Sequence, residues 1–190
     1  NFNIILSTGA SSFKDVQKTY KIIKSKYGKQ ISKKLIIMHC VSRYPVPDIE
    51  ANLLSIVYLK NKFNLNVGYS NHVIGINACL ASICMGARVI EFHFTDNKKR
   101  KFRDHQLSLN FQDVINIKNK IKHFNQIIGN GYKKVLSEEK KQNHHISFRR
   151  GLFLNKNKLK NSIIKETDLV TLRPLKGLCA SNFFKIIGKK

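Results

Sequence analysis

The sequence predicts an α/β chain that forms half of a (β/α) barrel, and three observations carry this. Four apolar, strand-like runs each stop on small polar or ionisable residues: Asn3–Gly9, Leu35–Ser42, Leu65–His72 and Val89–Thr95. Segments with helical spacing separate them. The chemistry-bearing groups sit at the strand ends, where such barrels assemble an active site at the C-terminal rim. Four units are half of what a closed barrel needs. Part of an active site is therefore expected, and the isolated fragment, with two unpaired sheet edges, is expected to be inactive.

Each element has a local justification. Ser12-Phe13-Lys14-Asp15 reads as a capping box with Asp in the third helical position. Phe13, Val16, Tyr20, Ile23 and Tyr27 then recur at helical spacing until Gly28 ends the run. Tyr44-Pro45-Val46-Pro47 is a stiff loop, because proline is excluded from helix interiors and central strands. A second helix follows to about Lys62, with Leu53, Ile56 and Val57 facing inward. Ile74 to Met85 is nearly all apolar and closes at Gly86, which predicts a buried helix. Asn110 caps a fourth helix whose stripe is Val114, Ile117, Ile121, Phe124 and Ile128, before Gly129-Asn130-Gly131 breaks it. These units place one domain over residues 1–131. Residues 132–145 turn polar without periodicity and read as a linker. Residues 146–190 follow as a small domain, with Ile146–Leu154 and Leu169–Leu172 as short strands. So small a domain is expected to dock on something larger.

Composition narrows the function. No apolar run approaches the roughly 18 residues of a membrane span, and the chain enters its first strand from Asn1 without a signal-like segment, as an N-terminally incomplete sequence would. The balance of 35 Lys+Arg against 11 Asp+Glu gives a net charge of +24. The lysines are scattered among Asn and Ile, with no Arg-rich block and no aromatic–basic patch. That pattern reads as solvated surface that attracts anionic substrates, and any nucleic-acid binding should be non-specific and lost with salt. Cys40, Cys79, Cys84 and Cys179 lack C-x-x-C spacing and sit in apolar runs, as buried thiols of a reducing, cytoplasmic compartment do.

The strand ends supply Ser7-Thr8-Gly9, His39 with Ser42, Ser70-Asn71-His72, and Glu91 with His93. Neighbouring strands lie about 4.8 Å apart, so these groups can converge on one ligand. A lone strand-end histidine is more often a hydrogen-bonded core residue. Two on consecutive strands, His72 and His93, could share a divalent ion such as Mn or Zn. Asp104-His105 occupies the loop beyond the fourth strand, where substrate contacts arise, although an acid amid Lys98-Lys99-Arg100-Lys101 also fits a solvated loop.

Taken in order, S-T-G-A at Ser7–Ala10, H-C-V-S-R-Y-P at His39–Pro45, G-Y-S-N-H at Gly68–His72, I-E-F-H-F-T at Ile90–Thr95 and D-H-Q-L-S-L at Asp104–Leu109 resemble the successive signatures of the sialic acid synthase (N-acetylneuraminate synthase) family. F-R-R-G-L at Phe148–Leu152, L-R-P-L-K-G-L at Leu172–Leu178 and I-I-G-K-K at Ile186–Lys190 resemble its C-terminal antifreeze-like domain. The resemblance implies the C-terminal half of a (β/α)8 TIM-type barrel followed by a small β-rich antifreeze-like domain. It implies condensation of phosphoenolpyruvate with N-acetylmannosamine, or a related N-acetylated amino sugar, to a nine-carbon 2-keto sugar acid with release of phosphate. By motif position, His72 and His93 would hold a divalent metal, usually Mn2+. Ser7, Ser42 and Ser70 would contact phosphoenolpyruvate, and Tyr44 and Asp104 the sugar. Asp104 is also the one catalytic candidate. Arg173 would reach the partner's site in a domain-swapped homodimer. His105 favours the neuraminate or legionaminate type over the pseudaminate type. Asn71 stands where the family has Asp, and Phe92 where it has a basic residue, departures that also fit an inactive paralogue.

Overall fold

The computed structural model describes residues 2–190 and divides the chain into two compact units, residues 1–130 and 131–190. In the first, β1 (Ile4–Ser7), β2 (Leu35–Cys40), β3 (Val67–Asn71) and β4 (Ile90–Phe92) form a parallel half-barrel sheet in the order β1-β2-β3-β4. The helices between them are α1 (Phe13–Tyr27), the short α2 (Ile31–Lys34), α3 (Leu54–Phe63) and α4 (Asn77–Cys84), with α5 (Phe111–Ile128) after β4. Side-chain parity sorts the sheet into two faces. Leu35, Ile37, Val67 and Tyr69 join Val16, Ile56, Leu59 and Phe63 in the main core, on the helix side. Ile90 and Phe92 pack with Cys79, Leu80, Leu109 and Ile117 in a second cluster under α4 and α5. Burial pushes the Cys79 thiol up to about 12, so it stays a neutral core group. The opposite face carries Ile5, Ser7, Met38, Cys40, Gly68, Ser70 and Glu91.

Both capping boxes form. Ser12 Oγ accepts from the Asp15 N–H, and Asp15 Oδ2 accepts from the Ser12 N–H at 3.0 Å. Asn110 and Asp113 do the same at the start of α5, at 2.9 and 3.0 Å. One expected helix begins later than the hydrophobic pattern suggests, and another turns a different face inward. Gly75 takes φ +83°, a left-handed conformation that breaks the apolar run, so α4 starts at Asn77 instead of Ile74. In α3 the inward residues are Ile56, Leu59 and Phe63, while Val57 is only partly buried. Gly68 is required by a close approach: a Cβ there would lie 2.2 Å from Met38 Sδ and 2.8 Å from the Val89 carbonyl oxygen. Met38 thus crosses β3 where Gly68 leaves room.

In the second unit, residues 132–145 include α6 (Ser137–Lys141), and α7 (His144–Ser147) begins at their end. The expected strand at Ile146–Leu154 is therefore shortened. The Ser147 and Phe148 N–H groups bond back to the Asn143 and His144 carbonyls. Extended pairing starts only at β5 (Gly151–Leu154), antiparallel to β6 (Leu169–Leu172). The short α8 (Phe183–Ile186) follows. Asp168 anchors the unit: its buried carboxylate accepts from Lys158 Nζ and from the Lys165 N–H. The Lys158 bond, followed by that of Lys165, holds its pKa below the usual carboxylate value. The Arg173 guanidinium carbon lies 6.0 Å from the centre of the Phe148 ring. Among the described residues, no helix is long and apolar enough to cross a membrane.

Candidate active site

His72 follows β3 directly and His93 follows β4, so both project on the face opposite the helices, two residues beyond Ser70 and Glu91. Their ring centroids are 5.3 Å apart. His72 is only 4% exposed. Its Nδ1 lies 2.8 Å from the Val41 carbonyl oxygen, which can only accept, so Nδ1 carries the proton and the Nε2 lone pair is left available. His93 Nδ1 lies 3.5 Å from Asp104 Oδ2, and that carboxylate favours the same tautomer. Asp104 is placed by a short helical turn after β4, tied down by the Ser108 hydroxyl on the Asp104 carbonyl at 2.7 Å. Two imidazoles in that tautomer, each with its Nε2 lone pair unused, suit a divalent ion of borderline character. Among the described residues, no group of three or more His, Cys, Asp or Glu side chains is arranged to hold a metal.

Tyr44 closes this corner. Its ring centroid is 4.1 Å from that of His72 and 5.6 Å, edge-on, from that of His93. Desolvation, then the nearby Cys40, Asp104 and Glu91, push its phenol above the usual tyrosine value. At 52% exposure its ring still faces solvent. The loop beneath it is stitched to the strand end by the Val46 N–H on the His72 carbonyl, 2.9 Å. Tyr44 also lines a cavity of about 370 Å³ with Arg43, Pro47 and Ile74. A larger cavity, about 850 Å³, lies elsewhere, between α4, β4 and α5; size alone does not mark the chemistry here.

The serines divide. Ser42 Oγ sits against Gly9, where a Cβ would meet it at 2.2 Å, so the first and second strand ends interlock. Ser7 pairs in register with Met38 on the open face and is exposed. Ser70 donates its hydroxyl proton to Glu91 Oε1 at 2.7 Å. Arg173 belongs to the second unit, near Phe148. Two neighbours carry no role in the sequence reading: Cys40, with Sγ 3.9 Å from His72 Nδ1, and the Val41 carbonyl. Parity could have found Cys40, because it lies two residues before Ser42 on the same face.

His39 does not join the site. It shares the parity of Leu35 and Ile37, so it turns toward the helices, where Nε2–H donates to the Ala51 carbonyl at 2.8 Å and the ring stacks on Tyr69. Burial holds its pKa below the usual 6.5, although the Ala51 bond works the other way. The unfolded chain therefore binds a proton near pH 6.5 that the folded chain refuses. Stability should be full above that pH and decline as the pH falls through it toward the lower folded value. Urea melts between pH 7.5 and 5 should show this decline, and His39→Gln should flatten it. An identical pH slope in the two proteins would show that His39 is not the responsible group.

The sequence model of the NeuB family matches residues 1–133. An N,N'-diacetyllegionaminic acid synthase of Campylobacter jejuni subsp. jejuni is 34% identical over 189 residues, 100% of this chain and 55% of that protein. A pseudaminic acid synthase of the same subspecies is 32% identical over 186 residues, 98% of this chain and 52% of the other. Among solved structures, the N-acetylneuraminic acid (sialic acid) synthetase of Leptospira borgpetersenii serovar Hardjo-bovis, in complex with citrate, superposes with a TM-score of 0.68. It is 29% identical, over 75% of this chain and 48% of that one. The chain spans about half the length of the curated relatives it matches. With the family model covering the whole half-barrel sheet and both rim histidines, the chain belongs to the NeuB family.

Proposed function

We propose that this chain supplies the histidine rim of a synthase that condenses phosphoenolpyruvate with N-acetylmannosamine or a related N-acetylated sugar. The product is a nine-carbon 2-keto sugar acid, and phosphate is released. The observation that carries this reading is the convergence of His72, His93, Tyr44 and Asp104 at one corner of the sheet. A divalent ion, Mn2+ by family resemblance, would be held by the Nε2 atoms of His72 and His93 and would supply Lewis-acid polarisation of the sugar aldehyde.

The chain's own side chains do the rest. Val41 and Asp104 hold the two imidazoles in the ligating tautomer. Tyr44 and Asp104 contact the sugar hydroxyls from the outer side, and Asp104 serves the chemistry by keeping His93 in place. Ser7 and Ser42 contact phosphoenolpyruvate. Ser70 contacts the same ligand, by family resemblance, and its hydroxyl has to rotate its proton from Glu91 Oε1 to donate there. The scattered positive charge draws the trianionic substrate in. The second unit acts as an antifreeze-like domain that carries Arg173 to the partner's site in a domain-swapped homodimer, and the enzyme works in the cytoplasm. Identity to both legionaminate and pseudaminate synthases leaves two sugar classes. His105, anchored by the Thr95 hydroxyl at 2.8 Å, favours the neuraminate–legionaminate side.

Phosphate release by the full-length protein that carries this chain tests the reading. Release should need Mn2+ and one of N-acetylmannosamine or its 2,4-diacetamido relatives. No metal-dependent release with any of these sugars would sink it.

A further inference from the structure

The fold uses only part of the apolar stripe on α5. That helix runs for 18 residues, while α4 beside it stops after 8, at Cys84. Ile117 packs with Cys79 and Leu80 of α4 and is buried. Ile121 is partly buried, and Ile128, at the end of the stripe, is 50% exposed. Past the end of α4 the stripe faces the cavity of about 850 Å³, with Ile83, Ile90, Ile117 and Ile121 as its floor. Cavities of roughly 300–1,000 Å³ with apolar floors are the usual size for small organic ligands. The turn at residues 86–88 enters β4 beside this cavity, whereas His93 follows β4 at its other end. The two sites are therefore separate. The charged groups of the lining have one sign. Lys60, Arg88 and Lys118 border the cavity, and among the described residues no Asp or Glu does. None of the three forms an ion pair among the described residues. Lys60 folds over the turn: its Nζ lies 3.3 Å from where a Cβ on Gly86 would stand. All three are exposed, so they stand at the mouth and leave the floor to the isoleucines.

We propose that this cavity binds a single-chain amphiphile with an anionic head, of the fatty-acid carboxylate class. The alkyl chain lies on the isoleucine floor, and Lys60, Arg88 and Lys118 hold the carboxylate at the mouth. Charge complementarity selects this ligand. A small polyanion would leave the floor uncovered, an uncharged chain would leave the cations unmatched, and a cationic chain would be repelled. The chain supplies most of the affinity, because each buried methylene tightens binding roughly fourfold. Exposed ion pairs add only about a few-fold each, so the head supplies selectivity.

Cys84 gives a direct readout, because it is an exposed thiol in the cavity wall. Its alkylation by iodoacetamide is followed by mass spectrometry in the full-length protein that carries this chain. Cys179, in the second unit, is the control. Decanoate below its micelle concentration should suppress alkylation of Cys84 and leave that of Cys179 unchanged. Octanoate, shorter by two methylenes, should need a concentration roughly tenfold higher or more. Decanol should need about a few-fold more than decanoate, and decylamine more again. Arg88→Gln combined with Lys118→Gln should bring decanoate down toward decanol and leave decanol unchanged. Thermal melts monitor folding, and if the double variant is unstable, Lys118→Gln decides by the same criterion. Unsuppressed alkylation of Cys84 in decanoate overturns the proposal, as does equal suppression at Cys179. A Cys84 that fails to react without any ligand shows the cavity covered by another part of the protein and overturns it too. Equal potency of decanoate, decanol and decylamine, or decanoate potency unchanged in the variants, overturns the anionic head. None of these readouts involves turnover, so the histidine corner stands or falls separately.

Discussion

His93→Ala and His72→Ala should each lower metal-dependent phosphate release by about a thousandfold or more, with metal content falling in step. The donor set drives this expectation. In the proposed site this chain contributes two ligands, so removing one leaves a single imidazole, and among the described residues no group of three His, Cys, Asp or Glu side chains is arranged to hold the ion instead. Losing Lewis-acid stabilisation of the developing alkoxide costs several kcal/mol, and about 4 kcal/mol corresponds to three decades in rate. His93 is the cleaner test, because it is the more exposed of the two and its loss should leave the melting temperature nearly unchanged. Asp104→Asn keeps the shape beside His93 but loses the charge, so its effect should be smaller, about 10- to 100-fold. Turnover and bound manganese are measured on the same preparations. A His93→Ala protein that keeps stoichiometric metal and normal turnover would remove the site from this corner.

The half-barrel was legible in the sequence because each strand is an apolar run with a polar stop, and those stops are the rim. His72, His93 and Ser42 lie just beyond the hydrogen-bonded ladder, so the runs as read extend past β2, β3 and β4. What the residue types alone could not separate was the two faces of the sheet. His39 looks like His72 in composition, yet it has the parity of Ile37 and belongs to the core. Phe92 departs from the family at a position that faces α4 and α5, where it packs in the second apolar cluster. That departure leaves the rim chemistry untouched. Which residues of the lower row stand side by side depended on register: Cys40 pairs with Ser70 and Ser70 with Glu91, and spacing within one strand carries no such information. The orientation of His72 was invisible for another reason, since its partner is a backbone carbonyl that any residue at position 41 would provide.

Asn71→Ala should destabilise the first unit by about 3 kcal/mol while leaving the metal site intact in the folded fraction. Asn71 is 1% exposed, and its side chain turns to the helix side, away from the His72 ring. There its oxygen accepts from the Tyr69 hydroxyl at 3.1 Å and the Val73 N–H at 3.2 Å, while Nδ2 donates to the Val73 carbonyl at 2.9 Å. Truncation leaves three buried polar groups without partners, each costing on the order of 1–3 kcal/mol before relaxation. Burial also holds the Tyr69 phenol well above its usual value, so it cannot relieve the loss by ionising. Restoring the family's residue with Asn71→Asp is expected to cost about as much. The two acceptances survive, but the group that donates to Val73 becomes an oxygen facing an oxygen, and it brings a buried charge with no cation beside it. A carboxylate at this position points at Val73 and Tyr69, so it should not tighten metal binding. Urea melts and Mn2+ titrations of the parent and both variants measure the two effects separately. Parent-like stability together with tighter Mn2+ binding in Asn71→Asp would mean that this side chain reaches His72 after all, and that Asn71 weakens the metal site.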